Sequence, residues 1–346
     1  METISIVGAG SWGTALSILL GKKGYNIKLW DRNKGHLTDI EKSRENIKYL
    51  PGVLVPGNVM MYTDLAECVL GTDIIVIGVP SHAVRDICRA LQKHVNISQK
   101  LVSITKGIEN GSYFRMSEVM EAELPGSDIC VLSGPSHAEE VSRDIPTAIV
   151  ASSRNRKVAE YIQDIFITPK FRVYTNPDIV GVELGGAIKN IIALAAGVSD
   201  GLGFGDNTKA LLMTRGLTEM ARLGVAMGAD TFTFAGLSGI GDLIVTCTSM
   251  HSRNRRAGIL IGQGKSVDEA LGEIKMVVEG VKTTSAAYEL AKKFNIEMPI
   301  TEKLYDVLFN NKEPKYAVSE LMMREKTIEM HENEEIVERE MKAWEK

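Results

Sequence analysis

Lys189 is the residue whose surroundings most clearly point to chemistry. It lies within residues 185–192, GGAIKNII, a stretch with helical spacing, small residues and strongly apolar flanks. Burial of an ammonium group lowers its pKa, so a lysine here can exchange protons near neutral pH and polarise a carbonyl group. The alternative is a lysine that reaches solvent from a core helix. The pattern favours Lys189 as a proton donor and acceptor.

A second candidate site begins the chain, in the residues METISIVGAGSWG. A short apolar strand over residues 3–7 runs into Gly8, Gly10 and Gly13, and a helix follows. In a dinucleotide-binding turn the first glycine permits the turn, the second lets the backbone approach a pyrophosphate, and the third lets the helix pack on the strand. The spacing predicts a nicotinamide or flavin cofactor on the free N–H groups of this helix.

Two charged residues of opposite sign, Asp31 and Arg32, follow the second predicted strand. An acidic side chain at this position binds an adenosine ribose, and a basic one accommodates a 2′-phosphate. Ordinary solvated turn charges are the alternative. Because both residues are present, the choice between NAD and NADP stays open.

Polar residues also follow two later strands, at the sheet edge where ligands gather. Lys106, in SITKG, can meet an anionic substrate; Gly134, in SGPSHA, allows close backbone approach, and Ser136 can cap a helix or donate to a ligand oxygen. Capping without a ligand is the alternative for Ser136. His137 has no carboxylate partner that the sequence predicts, and His82 has less support still, so neither is assigned as the catalytic acid or base.

The region 239–254 has the composition of a phosphate site. It contains Gly239, Gly241 and Asp242, then the hydroxyl-bearing TCT at 246–248, then Ser252-Arg253-Asn254 at the start of a helix. Unpaired helix N–H groups, a planar guanidinium and a neutral amide are what phosphate sites use. The alternative is a solvated basic face or a weak nucleic-acid patch formed by the arginines at 253, 255 and 256.

Two kinds of secondary structure must position these residues. Up to about residue 175, strands predicted at 3–7, 27–30, 74–79, 101–105, 129–132, 147–151 and 172–174 alternate with helical stretches, which is typical of a doubly wound, mainly parallel sheet. Beyond about residue 177 the pattern is helical only, at 178–198, 208–227, 253–262, 281–294 and 300–309. We predict an α/β chain: a Rossmann-type dinucleotide-binding domain over 1–178, an all-α substrate domain over 179–330, and a charged tail or amphipathic helix over 331–346.

Composition limits the function classes. The 346 residues fit two domains, and a net charge of -4 gives no reason to expect nucleic acid or an anionic membrane as partner. The first strand starts almost at Met1, which predicts no signal peptide, and the longest apolar stretch, 188–198, is predicted to be too short to span a bilayer. Four cysteines, without a CxxC pair, predict buried free thiols and neither zinc nor disulfides: Cys68, Cys88, Cys130 and Cys247. We expect a cytoplasmic protein without a metal.

With these residues assembled, the chain resembles the NAD(P)-dependent glycerol-3-phosphate dehydrogenase family through nearly its whole length. The motifs that carry the resemblance, in family order, are GAGSWGTA, VPSH, TKGIE, SGPSHAEEV, VELGGAIKN, LSGIGDLIVTC, SRNRRAG and VVEG. The resemblance implies reversible reduction of dihydroxyacetone phosphate to sn-glycerol 3-phosphate with NADH or NADPH, which supplies glycerophospholipid synthesis.

The resemblance also implies a role for each matching residue. Lys189 is the proton donor and acceptor. The implied substrate contacts are Lys106, Gly134, Ser136, Asp242, Ser252, Arg253 and Asn254. The implied dinucleotide contacts outside the glycines are Ser11, Trp12, Arg32, Ala138, Val277 and Glu279, and Lys106 and Arg253 touch both ligands. Asp31-Arg32 departs from the small and basic pair of many bacterial members, and the acidic tail extends past the family's usual end.

Two other functions remain as alternatives. A dehydrogenase of another hydroxyacid or sugar phosphate would lack the pair Arg253-Asn254 or place its arginines elsewhere. A non-catalytic NAD(P)H sensor could dispense with Lys189. A homodimer formed through the apolar and small residues of the helical domain is a further hypothesis that the sequence leaves open.

Overall fold

The computed structural model describes residues 2–325, and every strand in that range lies before residue 177. The strands are β1 Thr3–Val7, β2 Asn26–Trp30, β3 Glu45–Asn46, β4 Leu50–Leu54, β5 Val59–Tyr62, β6 Ile74–Ile77, β7 Lys100–Ser103, β8 Asp128–Ser133, β9 Thr147–Ser152 and β10 Phe171–Asn176. Eight of them form one sheet in the order β10-β9-β8-β7-β6-β1-β2-β5, while β3 pairs with β4. All neighbours in the large sheet are parallel except β8 and β9. The predicted doubly wound, mainly parallel sheet is confirmed.

The helices separate into two groups. Those that accompany the sheet are α1 Ser11–Lys22, α2 Lys34–Ser43, α3 Leu65–Val69, α4 Val84–Leu91, α5 Met116–Glu123, α6 Ala138–Val141 and α7 Arg156–Phe166. Those that follow it are α8 Ile179–Gly201, α9 Asp206–Ala226, α10 Thr231–Phe234, α11 Asp242–Thr248, α12 Arg253–Gly262, α13 Val267–Ile274, α14 Glu279–Phe294, α15 Pro299–Phe309 and α16 Pro314–Met322, with a π-helix, Leu237–Gly241, before α11. The predicted helical C-terminal domain is confirmed, while the segment predicted as a charged tail or amphipathic helix, 331–346, lies outside the described residues.

The central strands are apolar throughout because helices cover both faces of the sheet. In β6, IIVI, all four residues are buried, and four of the five in β1 are buried as well. Continuous burial of this kind is typical of parallel sheets. All four cysteines are free and buried, as predicted. The ends of β6 and β7, at Ile77 and Ser103, come two residues earlier than predicted.

The prediction of an apolar stretch too short to span a bilayer is wrong about length. Helix α8 has 23 residues with a mean hydropathy of 1.6, and by length and composition alone it could cross a membrane. The segment Thr231–Thr248 passes the same test with a mean hydropathy of 1.2, although it comprises α10, the π-helix and α11. In α8, 89% of the most apolar window is buried inside the protein. A helix that is apolar on all sides is expected at the core of a helical domain.

Glycines bring α8 and α12 to backbone contact. Gly197 and Gly201 on α8 lie against Gly258 and Gly262 on α12. A Cβ atom at any of the four would lie only 2.1–2.3 Å from a backbone carbonyl oxygen of the other helix. Side chains larger than hydrogen would force the helices apart. This close packing sets the start of α12 relative to the lysine-bearing helix α8.

Candidate active site

Three segments that are distant in sequence meet at the carboxylate of Asp242. Lys189, on α8, donates to this carboxylate and also to Thr246 Oγ1 at 2.7 Å. Lys106, in the loop after β7, donates to Asp242 Oδ2 at 2.6 Å and to the Gly134 carbonyl at 3.0 Å. Lys189 is 5% exposed and Asp242 is 1% exposed. The predicted burial of Lys189 is confirmed, and the alternative of a lysine that reaches solvent is wrong.

The cluster carries two ammonium groups around one carboxylate. The pKa of Lys189 is lowered to about 7, because burial, with a smaller contribution from the charge of Lys106, outweighs the opposing effect of Asp242. Burial would raise the pKa of Asp242, but Lys106 and Lys189 outweigh burial and the pKa is lowered. Asp242 is therefore charged at neutral pH, and Lys189 is able to exchange a proton there.

Gly186 leaves room for the Lys106 side chain, and Gly134 leaves room for the neighbouring strand β9. A Cβ at Gly186 on α8 would lie 2.6 Å from Ser133 Oγ and 3.5 Å from Lys106 Cγ. Gly134 has φ +137, a conformation that L side chains rarely adopt, and a Cβ there would lie 3.1 Å from the Cα of Ile149. A larger residue at position 186 would crowd Ser133 and Lys106, and one at position 134 would be strained and would crowd Ile149 on β9.

Ser136 does not cap the helix that follows it, which corrects one of the two readings of this residue. Helix α6 has His137 at its N-cap position, without a side-chain cap. Ser136 Oγ instead donates to the Gly134 carbonyl at 2.9 Å, the same oxygen that Lys106 contacts. Ser136 therefore stands beside the Lys106 ammonium.

The predicted phosphate cluster opens α12, but its members differ in their partners. Ser252 caps the helix by accepting from the Arg255 N–H at 3.2 Å. Asn254 uses both ends of its amide within the protein: Nδ2 donates to Asn190 Oδ1 at 2.9 Å, and Oδ1 accepts from the Gly280 N–H at 2.9 Å. Asn254 thus ties α12 to α8 and to α14. The predicted solvated basic face is wrong for Arg255, which pairs with Asp200.

The glycine turn has the geometry that its spacing predicts. Gly8 has φ +123, and a Cβ there would lie 2.8 Å from the Gly78 carbonyl oxygen. A Cβ at Gly13 would lie 2.0 Å from the Gly8 oxygen, so only glycine lets α1 pack here. A Cβ at Gly10 would meet nothing within 4 Å. Gly10 precedes Ser11 at the start of α1 and has no side-chain cap, so the helix N–H groups fit a pyrophosphate.

Asp31 and Arg32, the two residues predicted to contact the adenosine end of the dinucleotide, differ in whether their side chains are free to bind it. Asp31 accepts from the Ala9 N–H at 3.1 Å and from the Asn33 N–H at 2.9 Å, so its carboxylate stabilises the glycine turn. Arg32 is exposed beside it. Trp12, the second residue of α1, packs against Phe171 with ring centroids 6.4 Å apart.

Among the other predicted dinucleotide contacts, Glu279 lies where the two domains meet. Glu279, the first residue of α14, accepts from the Ser81 N–H at 3.2 Å and from Ser81 Oγ at 2.6 Å. Val277 is in the loop before α14, and Ala138 is buried at the start of α6. The Glu279 carboxylate thus links the helical domain to the sheet domain.

A second cluster of hydrogen bonds between the domains, formed by Glu183, Arg115 and Ser117, was not predicted from the sequence. Glu183, on α8, accepts from the Ser117 N–H at 2.7 Å, from Ser117 Oγ at 2.6 Å and from the Arg115 guanidinium. All three residues are buried. A glutamate within the apolar helix VELGGAIKN was the available signal, since a buried carboxylate needs donors from elsewhere.

Comparison with known proteins gives a consistent result. Residues 3–159 match the family model described as NAD-dependent glycerol-3-phosphate dehydrogenase N-terminus, and residues 178–319 match the corresponding C-terminus. A glycerol-3-phosphate dehydrogenase (NAD(P)+) from Thermoanaerobacter sp. is 58% identical over 328 residues, covering 95% of this chain and 99% of the relative. The Clostridium tetani protein of the same name is 55% identical over 326 residues, covering 94% of this chain and 93% of that protein.

Solved structures agree. The crystal structure of glycerol-3-phosphate dehydrogenase from Coxiella burnetii matches with a TM-score of 0.91 and 40% identity, covering 93% of this chain and 99% of that one. The yeast glycerol-3-phosphate dehydrogenase matches with a TM-score of 0.79 and 27% identity, covering 92% and 98%. Matches to both domains and along nearly the whole length show that the chain belongs to the NAD-dependent glycerol-3-phosphate dehydrogenase family.

Proposed function

We propose that this chain reduces dihydroxyacetone phosphate reversibly to sn-glycerol 3-phosphate, with NADH or NADPH as the hydride source, in the cytoplasm and in support of glycerophospholipid synthesis. The observation that carries the proposal is the buried Lys189 ammonium, held by Asp242 and Thr246 and facing the cationic Lys106 of the sheet domain. The relatives carry this activity in their names.

Lys189 has the hydrogen-bonding capacity that the reaction needs. An ammonium group has three N–H donors, of which Asp242 and Thr246 take two. The third donor is available to the substrate carbonyl oxygen. The dinucleotide supplies hydride to the carbonyl carbon when bound. Lys189 stabilises the negative charge that develops on oxygen and then protonates it, and the neutral amine takes the proton back in the reverse direction.

Asp242 is the residue that organises the two lysines. Its carboxylate holds the Nζ atoms of Lys106 and Lys189 on its two oxygens. The charge of Asp242 favours the protonated form of Lys189, which is the form that reduction requires. Lys106 adds a second positive charge near the substrate, together with Gly134 and Ser136 at the same strand end.

The phosphate and the dinucleotide bind on opposite sides of this centre in our proposal. Ser252, Arg253 and Asn254 form the phosphate end, with Asn254 setting the position of α12. The glycine turn, Ser11, Trp12, Arg32, Ala138, Val277 and Glu279 surround the dinucleotide. Because Asp31 is hydrogen-bonded to the turn and Arg32 is exposed, we expect both NADH and NADPH to be accepted.

The proposal is tested by following nicotinamide absorbance when the purified protein meets dihydroxyacetone phosphate, with NADH and NADPH in parallel. We expect rapid oxidation of both cofactors. Arg32→Gln should raise the KM for NADPH about tenfold and change the KM for NADH much less, since a phosphate–guanidinium contact is lost. Cofactor binding without oxidation would contradict the proposal and favour a sensor or another substrate.

A further inference from the structure

The first turn of α12 carries three arginines, Arg253, Arg255 and Arg256, whose guanidinium groups have unequal partners. Arg255 is fully engaged: its guanidinium contacts Asp200 at 2.8 and 2.9 Å and the Thr248 carbonyl at 2.8 Å. The guanidinium groups of Arg253 and Arg256, which are about one helical turn apart, form no hydrogen bond or ion pair with any residue in the range 2–325, although the backbone N–H of Arg256 donates to the Ser252 carbonyl at 3.0 Å. Residues three apart on a helix occupy neighbouring positions on its surface, so the two guanidinium groups without a hydrogen-bond partner start from adjacent positions.

This arrangement is costly in the absence of an anion. The Nε atom of Arg256 is buried and has no acceptor among the described residues. A buried charged donor without a partner loses its hydration and gains nothing in return. Burial lowers the pKa of Arg253, and the charge of Arg256 lowers it further, while Glu279 and Glu139 oppose the shift. Both groups are therefore arranged to receive negative charge from a ligand.

The same helix start lacks the amide donor that its sequence predicts. Both ends of the Asn254 amide are used by Asn190 and Gly280. The backbone N–H groups of Arg253 and Asn254 are the first two of the helix and have no acceptor within it. A phosphate that binds here needs a further strong donor besides Arg253, and Arg256, three residues along the same helix, is a second guanidinium without a hydrogen-bond partner among the described residues.

We infer that Arg256 is a substrate-binding residue that, with Arg253 and the first N–H groups of α12, holds the phosphate of the triose phosphate. Asn254 then acts as a positioning residue that fixes α12 against α8. This inference rests on the proposed function, because it assigns one end of the same substrate.

The test compares dihydroxyacetone phosphate with unphosphorylated dihydroxyacetone in the full-length enzyme. For Arg256→Gln we expect kcat/KM with the phosphorylated substrate to fall about 10- to 100-fold, as for loss of a charge-assisted contact. The fall with dihydroxyacetone should be at least fivefold smaller. Arg256→Lys should recover part of the loss because it restores the charge without the planar fork.

Arg255→Gln is the matched control, since it removes a neighbouring arginine that is already paired with Asp200. Its kcat/KM should change by the same factor with both substrates. Equal factors for Arg256→Gln would overturn the inference and indicate a structural role. An increase in the KM for NADH without one for the triose phosphate would also overturn it, because the anion would then be the cofactor pyrophosphate.

A binding measurement separates this inference from the proposed function. Inorganic phosphate, compared with chloride at equal ionic strength, should raise the Tm of the wild type more than that of Arg256→Gln, because it binds the folded state. An equal rise in both proteins would overturn the phosphate site. If the wild type shows this stabilisation but does not reduce dihydroxyacetone phosphate, the proposed function fails while the site remains.

Discussion

Asp242 and Glu183 are two buried carboxylates of the helical domain, and both receive donors from the sheet domain. Glu183 accepts from Arg115 and from the backbone and side chain of Ser117. Asp242 accepts from two lysines, Lys106 and Lys189. Burial outweighs the single guanidinium at Glu183 and raises its pKa, whereas the two ammonium groups outweigh burial at Asp242 and lower its pKa.

The two carboxylates differ in whether one of their donors can exchange a proton near neutral pH. At Glu183 the donors are a main-chain N–H, a hydroxyl and a buried guanidinium, none of which exchanges protons near neutral pH. At Asp242 one of the donors, Lys189, has a pKa of about 7. Glu183 and Lys189 lie on the same helix, α8. Glu183 therefore ties α8 to the sheet domain, and in our proposal Asp242 organises the reacting lysine on the same helix.

The largest effect that we expect comes from breaking the Glu183 cluster. Glu183→Ala leaves the buried Arg115 guanidinium without its buried carboxylate partner. The change should lower the free energy of unfolding by about 3–5 kcal/mol. Urea denaturation followed by circular dichroism measures it. Glu121→Ala is the control, because Glu121 pairs with Arg154 at 3.2 Å on the exposed surface and should cost less than about 1 kcal/mol. Similar losses in both variants would contradict the structural role of Glu183.

Removing the Lys189 side chain should instead leave the protein folded and greatly slow the reaction. Lys189→Ala should lower kcat for reduction by about 10²–10³-fold, equivalent to roughly 3–4 kcal/mol of transition-state stabilisation. Binding of NADH, measured by fluorescence titration, should change only modestly. Near-normal turnover in this variant would refute Lys189 as the proton donor.

The pH dependence of the wild type sharpens the same contrast. Reduction requires the ammonium form of Lys189, so its kcat should fall as the pH rises through about 7. Oxidation of glycerol 3-phosphate requires the neutral amine, so its kcat should fall about tenfold per pH unit below that pKa. Initial rates in both directions between about pH 5.5 and 9 give the two pH–rate profiles, and the limb of each profile is the pH range over which kcat falls. If kcat fell in the same direction of pH for both reactions, the assignment of Lys189 as proton donor and acceptor would be contradicted.

The smallest effect is a shift of these limbs. Asp242 raises the pKa of Lys189, so Asp242→Asn should move both limbs to lower pH, by about one unit, or about 1.4 kcal/mol. Thr246→Val is the matched control: it removes the other partner of the Lys189 ammonium without removing a charge. It should lower kcat with little displacement of the limbs. Unmoved limbs in Asp242→Asn would mean that another group titrates.

Much of the fold could be predicted because its signals are local. Alternating β-branched and helical segments predicted the parallel sheet, and the apolar flanks of Lys189 predicted its burial. The predicted helix over 178–198 agrees with α8, Ile179–Gly201, within a few residues. The predicted apolar stretch, 188–198, was too short because the whole of α8 is apolar enough to pass the length and hydropathy test. Short elements such as β3, β4 and α10 carried too few residues for a periodic signal.

The amino-acid sequence by itself determined the glycine turn, because the contact between Gly13 and the Gly8 carbonyl, which lets α1 pack, joins residues of the same turn; the contact of Gly8 with Gly78 is seen only in the tertiary structure. Only the tertiary structure decided which charges are paired. Asp242 pairs with Lys189, 53 positions away in the sequence, and with Lys106, 136 positions away. Both ends of the Asn254 amide are hydrogen-bonded, to Asn190 and to Gly280. These partners are brought together by the packing of α8 against α12 and against the sheet, and such contacts leave no spacing in the sequence.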